Sequence, residues 1–170
     1  MLRDYKWEKG DISPAERANH YNQNPLLLLL TGPNGVGKKD TAKMLERKLF
    51  ESGKKVYLLN IGNVMLGVDA DITHEQEKRK EHIRRLAEVA HILMDAGMIL
   101  IMTADDLTQQ DLEIFKTVLD ARRIETVWMG EKINTDIAYD YHIWLENKIS
   151  ESVDILTERL KDAGVIFRTW

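Results

Sequence analysis

The stretch LLLLLTGPNGVGKK, Leu26 to Lys39, decides the fold. Five consecutive leucines show no polar alternation, so they fit a strand buried on both faces. Gly32, Gly35 and Gly37 then let the backbone fold back with its N–H groups pointing inward. Lys38 opens a helix, whose positive N-terminal end is a favourable place for an anion. The spacing is that of the phosphate-cradling P-loop, G-x-x-x-x-G-K-S/T, with Lys39 where the hydroxyl belongs. The candidate nucleotide- or phosphate-binding residues are therefore Gly32, Asn34, Gly35, Val36, Gly37, Lys38, Lys39 and Asp40. Lys38 is also the first candidate for a catalytic role.

Lys39 changes the chemistry expected of that loop. In a working P-loop the hydroxyl after the lysine holds Mg²⁺, whereas an ammonium cannot ligate a cation and repels one. Successive helical residues are rotated by roughly 100°, so Asp40 and Thr41 point away from the direction of residue 39. Asp40 suits the helix dipole but opposes a bound triphosphate. The reading is a loop that still attracts an anion, ATP included, and handles Mg²⁺ poorly, with no protein metal ligands assigned.

Composition narrows the field. A chain of 170 residues is long enough for one domain with a sizeable core. A net charge of −4 gives no overall pull toward nucleic acid or an anionic membrane, so any anion site is local. The absence of cysteine removes disulfides and thiolate chemistry, and is compatible with a reducing cytoplasm. Residues Met1 to Trp7 lack the apolar stretch of a signal peptide, and the leucine run is too short to span a bilayer.

The rest of the chain alternates strands and helices. Residues 1–24 read as a preamble, with a helix capped by Ser13-Pro14-Ala15-Glu16, and residues 25–170 as the main domain. The preamble reads equally as packing on the main fold or as the stub of a linker. Helices are expected from Lys38 to about Ser52, from Thr73 to Gly97, from Thr108 and from about Ser150. Strands are expected at Val56–Leu59, Met98–Met102 and Thr126–Met129, with a weaker one at Tyr141–Trp144 and a short last one at Val165–Phe167. Gly130–Asp140 is the expected loop. The pattern predicts an α/β fold of three layers, a mainly parallel five-stranded sheet with helices on both faces. His74, His91 and His142 have no metal-ligand spacing.

From about Asp11 to Phe167 the chain resembles the adenylylsulfate (APS) kinases. Four stretches carry the resemblance: the lead-in Ile12–Ala18, the P-loop, Asn60-Ile61-Gly62-Asn63-Val64-Met65 in register with D-G-D-N-V-R, and Arg79–Arg85 in register with R-x-E-N-I-R-R. The resemblance implies a P-loop kinase fold, ATP and Mg²⁺ as cofactors, and phosphorylation of the 3′-hydroxyl of adenosine 5′-phosphosulfate. Arg79 and His82 fall on substrate-binding positions. The family also implies association with, or fusion to, a sulfate adenylyltransferase component, and allows a homodimer.

The differences fall on functional letters. The two aspartates of the second motif are Asn60 and Gly62, its arginine is Met65, and the family's lid motif has no counterpart after Met129. Glycine at the second position leaves no general base there. Asp105-Asp106, at the end of the third strand, reads either as a carboxylate site for Mg²⁺ held through water, with Asp106 as a second catalytic candidate, or as a polar turn that starts the next helix. Together these letters imply an impaired kinase. The alternatives are an active phosphotransferase, either an adenylylsulfate kinase or one with altered metal and substrate use, and an interaction or regulatory module with an empty loop.

Overall fold

Leu26–Leu30 belong to the middle strand of the sheet because both of their faces meet apolar layers. In the computed structural model, which describes residues 6–71, 77–105, 107–131, 135–144 and 147–167, β1 runs Leu26–Gly32 and is buried throughout. Leu27 and Leu29 enter a core with Leu86, Ala90 and Phe115, while Leu26, Leu28 and Leu30 enter a second core with Leu45, Val153 and Leu156. Alternate residues of a strand point to opposite faces, so an unbroken leucine run serves both cores at once.

The described elements run α1 (Pro14–Tyr21), β1, α2 (Lys38–Glu51), β2 (Val56–Leu58), α3 (Ile61–Leu66), α4 (Glu77–Asp95), β3 (Ile99–Asp105), α5 (Gln109–Val118), β4 (Ile124–Met129), β5 (Tyr141–Ile143) and α6 (Ile149–Asp162). The sheet order is β2-β3-β1-β4-β5 and every pairing is parallel. Helices α4 and α5 cover one face, α2 and α6 the other. After β1 the chain goes to the edge strand β2 and returns to β3 beside β1, then crosses to β4 and β5 on the other side. The crevice beyond the carboxyl end of β1 is therefore the switch point at which open α/β sheets bind ligands.

The preamble is tied to this frame by one buried amide. Gln23 Nε2 donates to the carbonyls of Lys55 and Gly97, both at 2.9 Å, and its Oε1 accepts from the Lys55 N–H. Trp7 lies edge-on against His91 of α4. None of the described helices is long and apolar enough to cross a membrane.

Asn60 stands at the N-terminal end of the short helix α3, beyond the carboxyl end of β2. Two expectations need correction. Val165–Phe167 forms a single antiparallel bridge, Ile166 to Gln23, rather than a strand. Its partner segment runs into Pro25, which has no N–H to extend a ladder. The fifth strand stops at Ile143, leaving Trp144 exposed. The expected cap at Thr73 lies outside the described residues.

Candidate functional site at the end of the central strand

The loop between β1 and α2 is shaped by close approach as much as by flexibility. Gly32 sits at φ +141°, and a Cβ there would lie 2.1 Å from the Met129 carbonyl oxygen of β4. Gly37 caps α2 at φ +84°, in the left-handed region that favours glycine. The α2 N-terminus, with Lys38 as its first residue, is thereby set directly over the sheet edge.

Lys38 is 5% exposed, and its ammonium is fully engaged. It donates to the Gly32 carbonyl at 2.9 Å and the Pro33 carbonyl at 2.5 Å, and pairs with Asp105 Oδ1 at 2.7 Å. The register explains the ion pair: Gly32 faces Asp105 across the β1–β3 ladder, so both end at the same edge. Two donors go to carbonyls of the loop, and the charge is balanced by the Asp105 carboxylate. A phosphate entering the cradle must draw Lys38 away from Asp105.

Beside the loop lies a cleft of about 410 Å³, walled by Lys39, Asn60, Gly62, Arg79, His82 and Asp105 among others. The fold thus brings Lys39, Arg79 and His82 to one cleft. A Cβ built on Gly62 meets nothing within 4 Å, so the position where the resemblance implies a carboxylate borders open space. Asn34, Gly35 and Asp40 are exposed on the loop and first helical turn, with Val36 half-buried. Asp106 lies outside the described residues.

Two further side chains of the cleft, Arg79 and His82, also have carboxylates of their own. Arg79 grips Asp111 of α5 with two hydrogen bonds, Nε to Oδ1 at 3.2 Å and Nη2 to Oδ2 at 2.7 Å. Burial pushes the Asp111 carboxyl up, but the hydrogen bonds from Arg79 and Thr108 outweigh it and hold the group below its usual value. His82 Nδ1 lies against Oδ2 of Asp69, a carboxylate buried under the start of α4. Among the described residues Asp69 Oδ1 accepts no hydrogen bond, its nearest cation being Arg85 Nη1 at 3.7 Å. Arg84 and Arg85 turn outward to Glu81, Glu88 and Asp71, and do not wall the cleft.

Two of these partners escape sequence reading. Asp69 sits in the Gly67–Ala70 turn with no motif to mark it. Asp105 is visible as a carboxylate at a strand end, but its pairing with Lys38 depends on a register that the sequence does not print.

The donor set does not suit Mg²⁺. A hard divalent cation wants several oxygen ligands, carboxylates and hydroxyls among them. Asp105 alone offers a carboxylate among the described residues that line the cleft, Gly62 has no side chain, and residue 39 is an ammonium. Thr41, the next hydroxyl along α2, is fully buried with its Oγ1 unpartnered, facing the core. Among the described residues no three acidic or histidine side chains converge to hold a metal.

Comparison with known proteins agrees with the fold. The family model for adenylylsulphate kinase matches residues 24–141. An adenylyl-sulfate kinase of Shewanella pealeana is 33% identical over 82% of this chain, and one of Shewanella baltica is 39% identical over 75%. The matches span 68% and 62% of those two proteins' own lengths. The APS kinase of Mycobacterium tuberculosis superposes with a TM-score of 0.73 at 25% identity, covering 82% of this chain and 99% of its own. A structure of that kinase in complex with AMPPNP and APS gives a TM-score of 0.71 at 21% identity, covering 82% of this chain and 99% of its own. The motif register, the strand order and these matches agree: the chain belongs to the adenylylsulphate kinase family.

Proposed function

We propose that this domain binds ATP on its P-loop, serves sulfate activation in the cytoplasm, and is catalytically impaired as an APS kinase. The observation that carries the reading is Lys39, which lines the cleft and puts an ammonium where the P-loop pattern has the metal-holding hydroxyl. Phosphoryl transfer depends on positioning and on neutralising charge as it spreads over the transferred group, so loss of metal handling strikes at the step itself. Gly62 adds the loss of a base, worth roughly 10²–10⁴-fold alone. Under this reading Gly32, Asn34, Gly35, Val36, Gly37 and Lys38 hold phosphate, while Arg79 and His82 line the place for the second ligand. The domain would then act as a regulatory or scaffolding part, associated with a sulfate adenylyltransferase component or paired with its own copy.

Calorimetric titration with ATP, run beside an assay for 3′-phosphorylation of APS, tests this. ATP is expected to bind without turnover, and Lys38→Ala to weaken binding by about 10–100-fold, the worth of a charge-assisted hydrogen bond. Absence of any ATP binding would sink the reading and leave an interaction module with an empty loop.

A second reading, a working phosphotransferase with another acceptor, is favoured by one observation. His82 lines the cleft with its Nδ1 on the buried carboxylate of Asp69, the arrangement that orients an imidazole as a proton acceptor. This reading predicts ATP-dependent phosphorylation of a hydroxyl other than that of APS, lost on His82→Gln with ATP binding retained.

A further inference from the structure

We infer that Lys39 stands in for the divalent cation, so that this cleft takes its polyphosphate free of metal. The inference rests on the P-loop reading and deepens it by naming the state of the ligand. In a metal-assisted cradle the cation sits between a carboxylate and the phosphate oxygens, touching both. Here the carboxylate at that edge is Asp105, and Lys39 and Asp105 wall the same cleft. Lys38 pairs with Asp105 at 2.7 Å while donating to the Gly32 and Pro33 carbonyls, so its charge already has a partner. When a phosphate draws Lys38 into the cradle, Asp105 loses its partner; of the other cations lining the cleft, Arg79 is held by Asp111, which leaves Lys39 to take its place. Lys39 can then bridge Asp105 and the phosphate with two of its three donors.

Charge counting supports the same assignment. Lys38 and Lys39 face Asp40 and Asp105 around the loop, two positive groups against two negative. Replacing Lys39 by a neutral hydroxyl would leave the loop net negative and in need of a metal. With Lys39 present, a divalent ion must enter beside an ammonium, without the hydroxyl, without a Gly62 side chain and without Thr41, whose hydroxyl is buried away from the cleft. Mg²⁺ in solution then only sequesters the ligand.

The test is calorimetric titration of the whole chain with ATP, once in excess EDTA and once in excess MgCl₂, for the wild type, Lys39→Ser and Lys39→Met. The wild type is expected to bind ATP more tightly in EDTA, by about threefold or more, and Lys39→Ser to reverse the order by about tenfold, because the repulsion is gone and a ligand restored. Lys39→Met, with neither charge nor ligand, is expected to bind poorly in both media. Tighter wild-type binding in MgCl₂ would overturn this inference while leaving the P-loop reading in place. Equal metal response in wild type and Lys39→Ser would overturn it too. No ATP binding in either medium would overturn the P-loop reading itself, and the inference with it.

Discussion

Gly32 shows how little freedom single residues have at this site. Its φ of +141° and the 2.1 Å gap to the Met129 carbonyl mean that one methyl group must displace β4 or the loop. Gly32→Ala is expected to cost about 3–5 kcal/mol, in the range of backbone strain combined with overpacking, and to lower the melting temperature accordingly. Lys38→Ala, by contrast, removes a buried cation that ties the Gly32 and Pro33 carbonyls to Asp105, and its main readout is ATP affinity. At this scale the sequence is legible where a motif fixes spacing. Gly32, Gly37, Lys38 and Lys39 fall where the P-loop pattern puts them. Asp69 was not legible, because its role depends on a turn that folds it under α4 and against His82. The ammonium of Lys39 opposes a metal by about 1 kcal/mol per unit charge at 4 Å in water and about 4 kcal/mol near a protein surface, enough to shift binding by one or more orders of magnitude.

Between elements, the α4–α5 contact carries the clearest pH signature. Arg79 of α4 forks onto Asp111, which also accepts from the Thr108 N–H at 3.0 Å and so closes the N-terminal cap of α5. The Asp111 carboxyl lies below its usual 3.8: burial pushes it up, but the hydrogen bonds from Arg79 and Thr108 pull it further down. Since the folded-state value is depressed, the unfolded chain takes up the proton first. The stabilisation is thus whole above 3.8 and is lost as pH falls from there through the folded-state value. Melting curves recorded down the acid limb are expected to flatten in Asp111→Asn. At neutral pH that variant should lose only about 1 kcal/mol, because half-exposed Arg79 is screened by water. If the acid limb of Asp111→Asn matches that of the wild type, the pair does not link α4 to α5. The Thr108 cap was legible from the polar residue before an apolar helical stripe. The partner of Arg79 was not, since it comes from an element 32 residues away.

Across the whole molecule, the three-layer α/β plan was legible because strands and helices alternate and the leucine run has no polar face. The order β2-β3-β1-β4-β5 came from no local pattern, and neither did the pairing of Gly32 with Asp105 that follows from it. That order places the P-loop at the switch point and sets Lys38, Lys39 and Asp105 around one crevice. The central claim is that this crevice keeps the cradle and has lost the reaction. The most direct measurement is ATP- and Mg²⁺-dependent 3′-phosphorylation of APS, with the wild type set against Lys38→Ala. The account predicts no product above the Lys38→Ala background while the wild type still binds ATP. Turnover at a kinase-like rate, abolished in Lys38→Ala, would contradict it.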